Sequence, residues 1–139
     1  MHSTGEVSAT LIRNFFPHTL FMGQLIKPLA WILGIVLAAV GLLGFFMDPI
    51  LGIFEVDTLH NIIHIASGLA GIIAASMGIA AARMYLVIFG LVYAIVTVVG
   101  FMQGNTVLNL IEVNQADNFL HLAIAAVCLV VGFSGNKQA

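Results

Sequence analysis

The residues with the clearest chemical potential are imidazole and carboxylate side chains inside apolar runs. "HNIIH" places His60 and His64 four residues apart, and "DNFLH" places Asp117 and His121 at the same spacing. Residues four apart share one face of a helix, so each pair presents two polar groups on the same side. Imidazole and carboxylate are ligands of zinc and other borderline metals. The four residues therefore form a candidate metal site.

Two other interpretations of the same positions stay open. His64 and His121 suit the axial ligands of a haem or a similar pigment, which takes two imidazoles. They also suit neutral structural histidines that are hydrogen-bonded to a main-chain carbonyl, to Asn61 or to Asn118. A polar group left unpaired in lipid costs roughly several kcal/mol, so a histidine inside a membrane span needs one of these explanations.

An internal repeat relates these positions to each other. "LGIVLAAVGLLGFF" aligns with "FGLVYAIVTVVGFM" and, after one inserted residue, "FEVDTLHNIIH" aligns with "IEVNQADNFLH". Asn61 and His64 therefore match Asn118 and His121, and a glutamate (Glu55 or Glu112) precedes each set. Self-similarity that includes polar residues indicates a duplicated unit. Here the unit is a helical hairpin that is used twice in the same orientation.

The polar residues that open the second helix of each unit also have structural interpretations. Asp57 and Asn114 stand at predicted N-caps, where a side-chain oxygen accepts a hydrogen bond from the helix backbone. The side chain three residues further on can reach back to the cap. The asparagine after that is interpreted as a hydrogen-bond clamp between membrane helices. The predicted structural polar residues are Asp57, Asn61, Asn114 and Asn118.

Composition assigns the chain to the membrane proteins. Of its 139 residues, 61% are hydrophobic and only 7% are charged, and a soluble domain of this size needs more charge to cover its surface. A bilayer core about 30 Å thick takes roughly 20 apolar residues as a helix. Strict apolar/polar alternation, as in a spanning strand, is missing. We predict an all-α protein with four transmembrane helices, at Pro28 to Met47, about His60 to Met77, Met84 to Gln103 and about Asn118 to Phe133.

The predicted organisation has two parts. Residues 1–27 form a polar N-terminus and an amphipathic segment, interrupted by Pro17, that we expect to lie along the membrane interface. Residues 28–139 form the four-helix transmembrane domain, with repeat one at about 28–78 and repeat two at about 84–135. Proline at a first helical position is favourable, which places the start of the first span at Pro28.

The sequence also limits the function. A net charge of −2 gives no electrostatic footprint for nucleic acid. Nucleophile–base pairs and phosphate-binding glycine loops are missing, so we expect no enzyme. We expect a structural, accessory or scaffold subunit that acts through helix contacts within the bilayer, by self-association or in a larger membrane complex. A metal- or haem-binding protein is the alternative, and a transporter or channel component ranks third because the cytoplasmic halves are nearly free of polar residues.

The segments "HNIIHIASGLAG", "RMYLVIFGLVYAIVTVVGF" and "NQADNFLHLAIA" resemble a family of small bacterial four-helix membrane proteins that is catalogued only as a domain of unknown function. The resemblance runs from about Leu33 to Phe133. It implies the four-helix fold and a bacterial plasma membrane. It implies no activity.

The basic residues predict the orientation. Threading four helices puts Arg13, Lys27, Arg83 and Lys137 on one side, with Arg83 at a tight turn between the second and third helices. Basic residues stay in the cytoplasm. We therefore expect both termini inside, and the two longer, acidic connections outside.

Single cysteines at Thr58 and at Ser134 test this orientation in a Cys128→Ala background. A membrane-impermeant thiol reagent applied to intact cells should label the cysteine at position 58 and spare the one at 134. The opposite labelling pattern would invert the topology.

Overall fold

Four long helices dominate the computed structural model, which describes residues 17–134, and side chains from residue 23 onward. Each helix is long and apolar enough to cross a membrane, which confirms the predicted all-α four-helix membrane fold. Two short strands, β1 and β2, pair antiparallel between the third and fourth helices. The elements are α1 (Pro17–Leu43), α2 (Thr58–Met77), α3 (Ile79–Gln103), β1 (Thr106–Val107), β2 (Ile111–Glu112) and α4 (Gln115–Ser134).

The closest packing lies within each hairpin, α1 against α2 and α3 against α4. In the first hairpin the backbones approach directly, because a Cβ added to Gly34 would lie 2.8 Å from the carbonyl oxygen of Gly68. Lipid tails are as apolar as leucine, so membrane helices gain little from hiding hydrophobic surface and associate through such close contacts. In the first hairpin the glycines therefore allow direct backbone contact, and in the second Gly90 packs against the side chains of Cys128 and Leu129.

The connections within the two hairpins repeat each other in backbone detail. Ile50 bridges Phe54 in the first connection, and the equivalent residues Val107 and Ile111 pair in the second. In both connections the leucine after the first paired residue has a positive φ, 53° and 56°. Two loops with the same unusual backbone agree with the duplication that the sequence predicts.

An asparagine–glycine contact is also repeated. Asn61 and Asn118 are 2% and 1% exposed, and a Cβ added to Gly44 or to Gly100 would overlap the Oδ1 atom of the corresponding asparagine. The Oδ1 atoms themselves have no hydrogen-bond partner among the described residues. These two oxygens therefore accept no hydrogen bond from the described residues and instead lie close to a glycine backbone.

The first helix differs from the prediction in where it begins. It starts at Pro17, and Pro28 lies inside it, so residues 17–27 continue the helix that we had expected to begin at Pro28. Proline removes one backbone hydrogen bond, but Ile26 and Ala30 are fully buried on either side of it and fix the helix in place by packing. Residues 1–16, the rest of the predicted interfacial segment, lie outside the described part of the chain.

The turn between α2 and α3 also differs from the prediction. It consists of Gly78 alone, with φ 122°, a conformation that side chains rarely adopt. Arg83 lies in the second turn of α3, and not at the turn itself. The predicted starts of α2, α3 and α4 also lie inside the observed helices. The reason is that α3 begins directly after Gly78, and α2 and α4 begin directly after their caps.

Gly44→Ala should destabilise the protein because its new methyl group collides with Asn61. We expect a loss of about 1–3 kcal/mol, as for other overpacked sites, measured as a lower melting temperature in detergent. Asn61→Ala in the same chain should restore part of that loss. The matched control is Asn118→Ala combined with Gly44→Ala, which removes the wrong asparagine. Equal rescue by both asparagine changes would contradict the contact.

Candidate metal centre

Three histidines converge between the two hairpins. His60 and His64 come from α2 and His121 from α4, and one ligand atom from each lies within 4.8 Å of the others. All three side chains are buried, at 3%, 8% and 4% exposure. The ring centroids of His60 and His64 are 4.4 Å apart, and His121 lies 5.9 Å from His60 and 6.4 Å from His64. The prediction that His64 and His121 face the bundle interior is confirmed.

Helix caps fix the position of these histidines along α2 and α4. Asp57 Oδ1 accepts a hydrogen bond of 2.9 Å from the backbone N–H of His60. In the second hairpin Asn114 Oδ1 accepts one of 3.0 Å from the N–H of Asp117. Both predicted N-caps are confirmed. Because each cap sets where its helix begins, it also sets the height at which the histidines of that helix lie.

Hydrogen bonds also join one hairpin to the other at this end of the bundle. Asp57 Oδ2 accepts from the backbone N–H of Glu112 at 2.5 Å, and Asp117 Oδ2 accepts from the N–H of Glu55 at 3.2 Å. Asn114 Nδ2 donates to the carbonyl oxygen of Ile53 at 2.6 Å. The two carboxylates thus cross the interface in opposite directions, and they hold α2 and α4 in register where the histidines meet.

Asp117 is the one predicted metal ligand outside the cluster. Its side chain is 4% exposed, and besides the bond from Glu55 its Oδ2 accepts the N–H of Asn114 at 2.9 Å, as the predicted reach-back to the cap. His60, at the equivalent place in α2, does not reach back to its own cap. Its ring turns to the other hairpin, which is why the equivalent positions take different parts in the site.

The contact that His60 makes favours one tautomer. Its Nδ1 lies 3.1 Å from the carbonyl oxygen of Glu112. A carbonyl can only accept, so a neutral His60 carries its proton on Nδ1 and has a free lone pair on Nε2. Histidines that bind metals commonly donate their second ring N–H to a carbonyl in this way.

His64 and His121 leave polar atoms unpaired. The Nδ1 atom of each is buried and has no hydrogen-bond partner among residues 17–134. The expected bonds to Asn61, Asn118 or a main-chain carbonyl therefore do not form at Nδ1 of either ring. Such unpaired atoms are costly, and a bound ion would remove the cost.

The surroundings of the cluster differ on its two sides. Toward the middle of the membrane the ring of Tyr93 packs edge-on against His121, with centroids 4.8 Å apart. At the membrane surface a cavity of about 480 Å³ lies between the hairpin connections, lined by Asp48, Glu55 and Glu112 among others. Both glutamates are exposed. The ring of Tyr93 therefore contacts the cluster on its inner side. On its outer side His60 contacts the backbone of Glu112, which lines the acidic cavity.

The whole cluster lies within the part of the chain that matches a known protein family. The model of the family described as "Domain of unknown function (DUF4383)" matches residues 27–134. The chain belongs to this family. Neither the curated proteins nor the solved structures include a significant match. The resemblance seen in the sequence is confirmed, and the chain is a small membrane protein of a family to which no activity is assigned.

The DUF4383 match includes α2, α3, α4, most of α1 and all three histidines. Because the family description names no chemistry, the chemistry of the site is argued from its geometry. The third imidazole discriminates between the two ligand hypotheses. A porphyrin between His64 and His121 needs open space around their axis, and His60 lies within 4.4 Å and 5.9 Å of their ring centroids. This crowding favours a single ion over a macrocycle.

Two features of the site could not be found by motif spacing. Tyr93 carries no signal in the sequence that separates it from a packing aromatic. The side-by-side placement of His60 with His121 depends on the relative height of two helices, which the Asp57–Glu112 hydrogen bond sets in three dimensions. The HxxxH spacing was the usable signal, and it identified both histidines of α2.

Asp57→Asn tests whether the charge of the Asp57 carboxylate stabilises the contact between the two hairpins. Partial burial alone would raise the pKa of Asp57, but the backbone N–H groups of Glu112, His60 and Leu59 outweigh it and lower the pKa below its usual value. A lowered pKa in the folded state means that the carboxylate stabilises the fold above pH about 4. That contribution is lost as the pH falls through the folded-state pKa.

Wild type should therefore unfold at a higher temperature than Asp57→Asn at pH 7, and the difference should shrink progressively below pH 4. Thermal melts in detergent across this pH range measure it. A difference that is constant with pH would show that the charge of Asp57 contributes nothing.

Proposed function

We propose that this protein is a metal-binding membrane protein that holds one divalent transition-metal ion, with Zn²⁺ as the first candidate. The observation that carries the proposal is the convergence of three buried imidazoles, from two helices, within 4.8 Å. The ligands are His60, His64 and His121. The proposal concerns binding, and no catalytic step is part of it.

The distances support an ion of this size. Zinc binds histidine nitrogens at about 2.0–2.1 Å, so two nitrogens on one tetrahedral ion are about 3.3 Å apart. Nitrogens already within 4.8 Å reach that separation by small side-chain rotations. Neutral imidazole suits Zn²⁺ and its neighbours better than Mg²⁺ or Ca²⁺, which prefer oxygen ligands. Three protein ligands leave a fourth position for water or another small ligand.

Burial supports a bound state as well. Three imidazoles packed together without an ion keep two Nδ1 atoms unpaired in a low-dielectric environment. Replacing both of these histidines with leucine would leave an apolar bundle of similar volume and would break no hydrogen bond at Nδ1. Retaining three histidines makes physical sense when their nitrogens have a ligand.

The orientation in the membrane is part of the same proposal. Lys27 and Arg83 lie toward the end of the bundle opposite to the histidines. By the positive-inside rule that end is cytoplasmic. The histidines and the acidic cavity then face the outer side of a bacterial plasma membrane, and the ion comes from outside the cytoplasm.

Metal content tests the proposal directly. Protein purified in detergent, loaded with Zn²⁺ and dialysed should retain about one ion per chain by elemental analysis. His64→Leu, His121→Leu and His60→Leu should each weaken binding by about 100-fold or more, since even outer-shell partners are worth 10–100-fold. Thr97→Val is the matched control, because it changes a buried polar side chain of α3 that lies outside the cluster and should retain the metal.

Loss of metal in an Asp117→Asn protein that melts at the wild-type temperature would restore the four-ligand hypothesis that includes this carboxylate. Wild-type protein that retains no metal under these conditions would refute the proposal. The role in helix contacts, which the sequence favoured, would then be the remaining hypothesis.

The metal-free protein gives a second prediction. Because Nδ1 of His64 forms no hydrogen bond among the described residues, His64→Leu should melt at the same or a higher temperature than metal-free wild type. Zn²⁺ should raise the melting temperature of wild type and not of the variant, since a ligand that binds only the folded state stabilises it. A variant that is less stable without metal would indicate a structural role for the imidazole.

A further inference from the structure

A long apolar groove lies on the membrane-facing side of the bundle, between α2 and α3. Its volume is about 540 Å³, and it extends along α2 from Ile63 to Met77. Ser67, Ala70 and Ala74 of α2 line one side of the groove, and aromatic residues of α3 line the other side. None of the three histidines lines the groove, although Tyr93 borders both the groove and the histidine cluster.

Comparison of the two repeats shows that packing one hairpin against the other does not by itself leave a groove of this size. The equivalent place between α1 and α4 holds a cavity of only about 200 Å³. Ile124 and Val127 line it, at the positions equivalent to Ser67 and Ala70. The chain therefore closes one of its two inter-hairpin grooves with large side chains, and it keeps the other open with small ones.

Two of the three hydroxyl groups on residues that line the groove, those of Ser67 and Tyr85, are hydrogen-bonded within the protein. Ser67 Oγ donates to the carbonyl oxygen of Ile63 in its own helix, and the Tyr85 hydroxyl donates to the carbonyl oxygen of Ser67 at 3.1 Å. The remaining lining is aliphatic or aromatic. An occupant thus finds hydrocarbon and ring faces, which are suited to another hydrocarbon.

The dimensions select among the hydrocarbon occupants. At 1.5 Å per residue the groove is about 21 Å long, and its mean cross-section is about 26 Å² for the 540 Å³ volume. A helix about 10 Å across has a cross-section of roughly 80 Å², so a helix of a second copy would lie over the groove and leave its space unfilled. One leaflet of the hydrocarbon core is about 15 Å thick, so an extended lipid chain fits within the groove.

We propose that the groove between α2 and α3 binds one acyl chain of a membrane phospholipid. The chain enters from the leaflet at the Gly78 end, where Met77, Ala81 and Met84 line the groove. It lies along the stacked rings of Tyr85 and Phe89, whose centroids are 5.1 Å apart. The bound lipid takes the place that Ile124 and Val127 fill in the other half of the molecule.

Quenching of a single tryptophan by brominated phospholipid tests the proposal. Trp31 is the only tryptophan, so Trp31→Phe gives a silent background. Ile88→Trp places the probe at the groove, and Val98→Trp places it on the same helix outside the groove; the two native residues are 56% and 57% exposed. Full-length protein in detergent is titrated with dibrominated phosphatidylcholine.

Quenching at position 88 should saturate at a low lipid fraction, and quenching at position 98 should rise in proportion to the lipid fraction. Ala70→Leu with Ala74→Leu fills the groove and should abolish the saturable part. Ala66→Leu with Ala126→Leu is the matched control, because both alanines are exposed and line neither groove, and it should change nothing. Circular dichroism and gel filtration verify that each variant is folded.

Three results would overturn the proposal. One is the same dependence on lipid at positions 88 and 98. Another is saturable quenching that survives the Ala70→Leu, Ala74→Leu pair in folded protein. The third is a wild-type oligomer that the groove-filling pair reduces to a monomer while no saturable quenching occurs, since a second copy would then cover the groove.

Discussion

The structure depends on how two helical hairpins are held together in a solvent that offers no hydrogen bonds. Within each hairpin, glycines allow the helices to pack closely, but between the hairpins the packing is thinner. There the carboxylates of Asp57 and Asp117 accept backbone N–H groups of the opposite hairpin. These bonds lie at the membrane surface, where each one satisfies a donor that a loop would otherwise leave exposed to the lipid boundary. The height of α2 against α4, and hence the meeting of the histidines, depends on them.

The same carboxylates show how a repeat acquires a site. Asp57 caps its own helix and also binds the backbone of Glu112, whereas Asp117 is the third helical residue and reaches back to its cap. With these donors satisfied, the position equivalent to Asp117 in the first hairpin is free to carry His60. Its ring then turns to the carbonyl of Glu112 and joins the two histidines that the repeat had already placed. Structure and site are therefore built from the same few hydrogen bonds.

Much of this could be predicted from the sequence, because it depends on local rules. Composition and run length gave four spans, and the alignment of the two halves gave equivalent Asn61 and Asn118, and His64 and His121. The N-caps at Asp57 and Asn114 can be inferred from residue type and position alone. Pro28 was misleading as a helix start. The free energy that it costs by removing one hydrogen bond is smaller than the free energy gained by packing Ile26 and Ala30. The carbonyl partner of His60 could not be predicted, because it depends on the relative height of the two hairpins, which is set by a hydrogen bond between residues distant in the sequence.

The difference between His60 and Asp117 has a consequence for stoichiometry. Two separate, identical hairpins assembled about a twofold axis would contribute every ligand in pairs, so a site on that axis would always contain two or four imidazoles. Covalent fusion of the two copies removes that parity, because each half can then change alone. A set of three nitrogens on that axis is therefore available to a fused chain and not to a symmetric pair of hairpins. In the proposed metal complex this set leaves one coordination position of a tetrahedral ion for a molecule from the aqueous side.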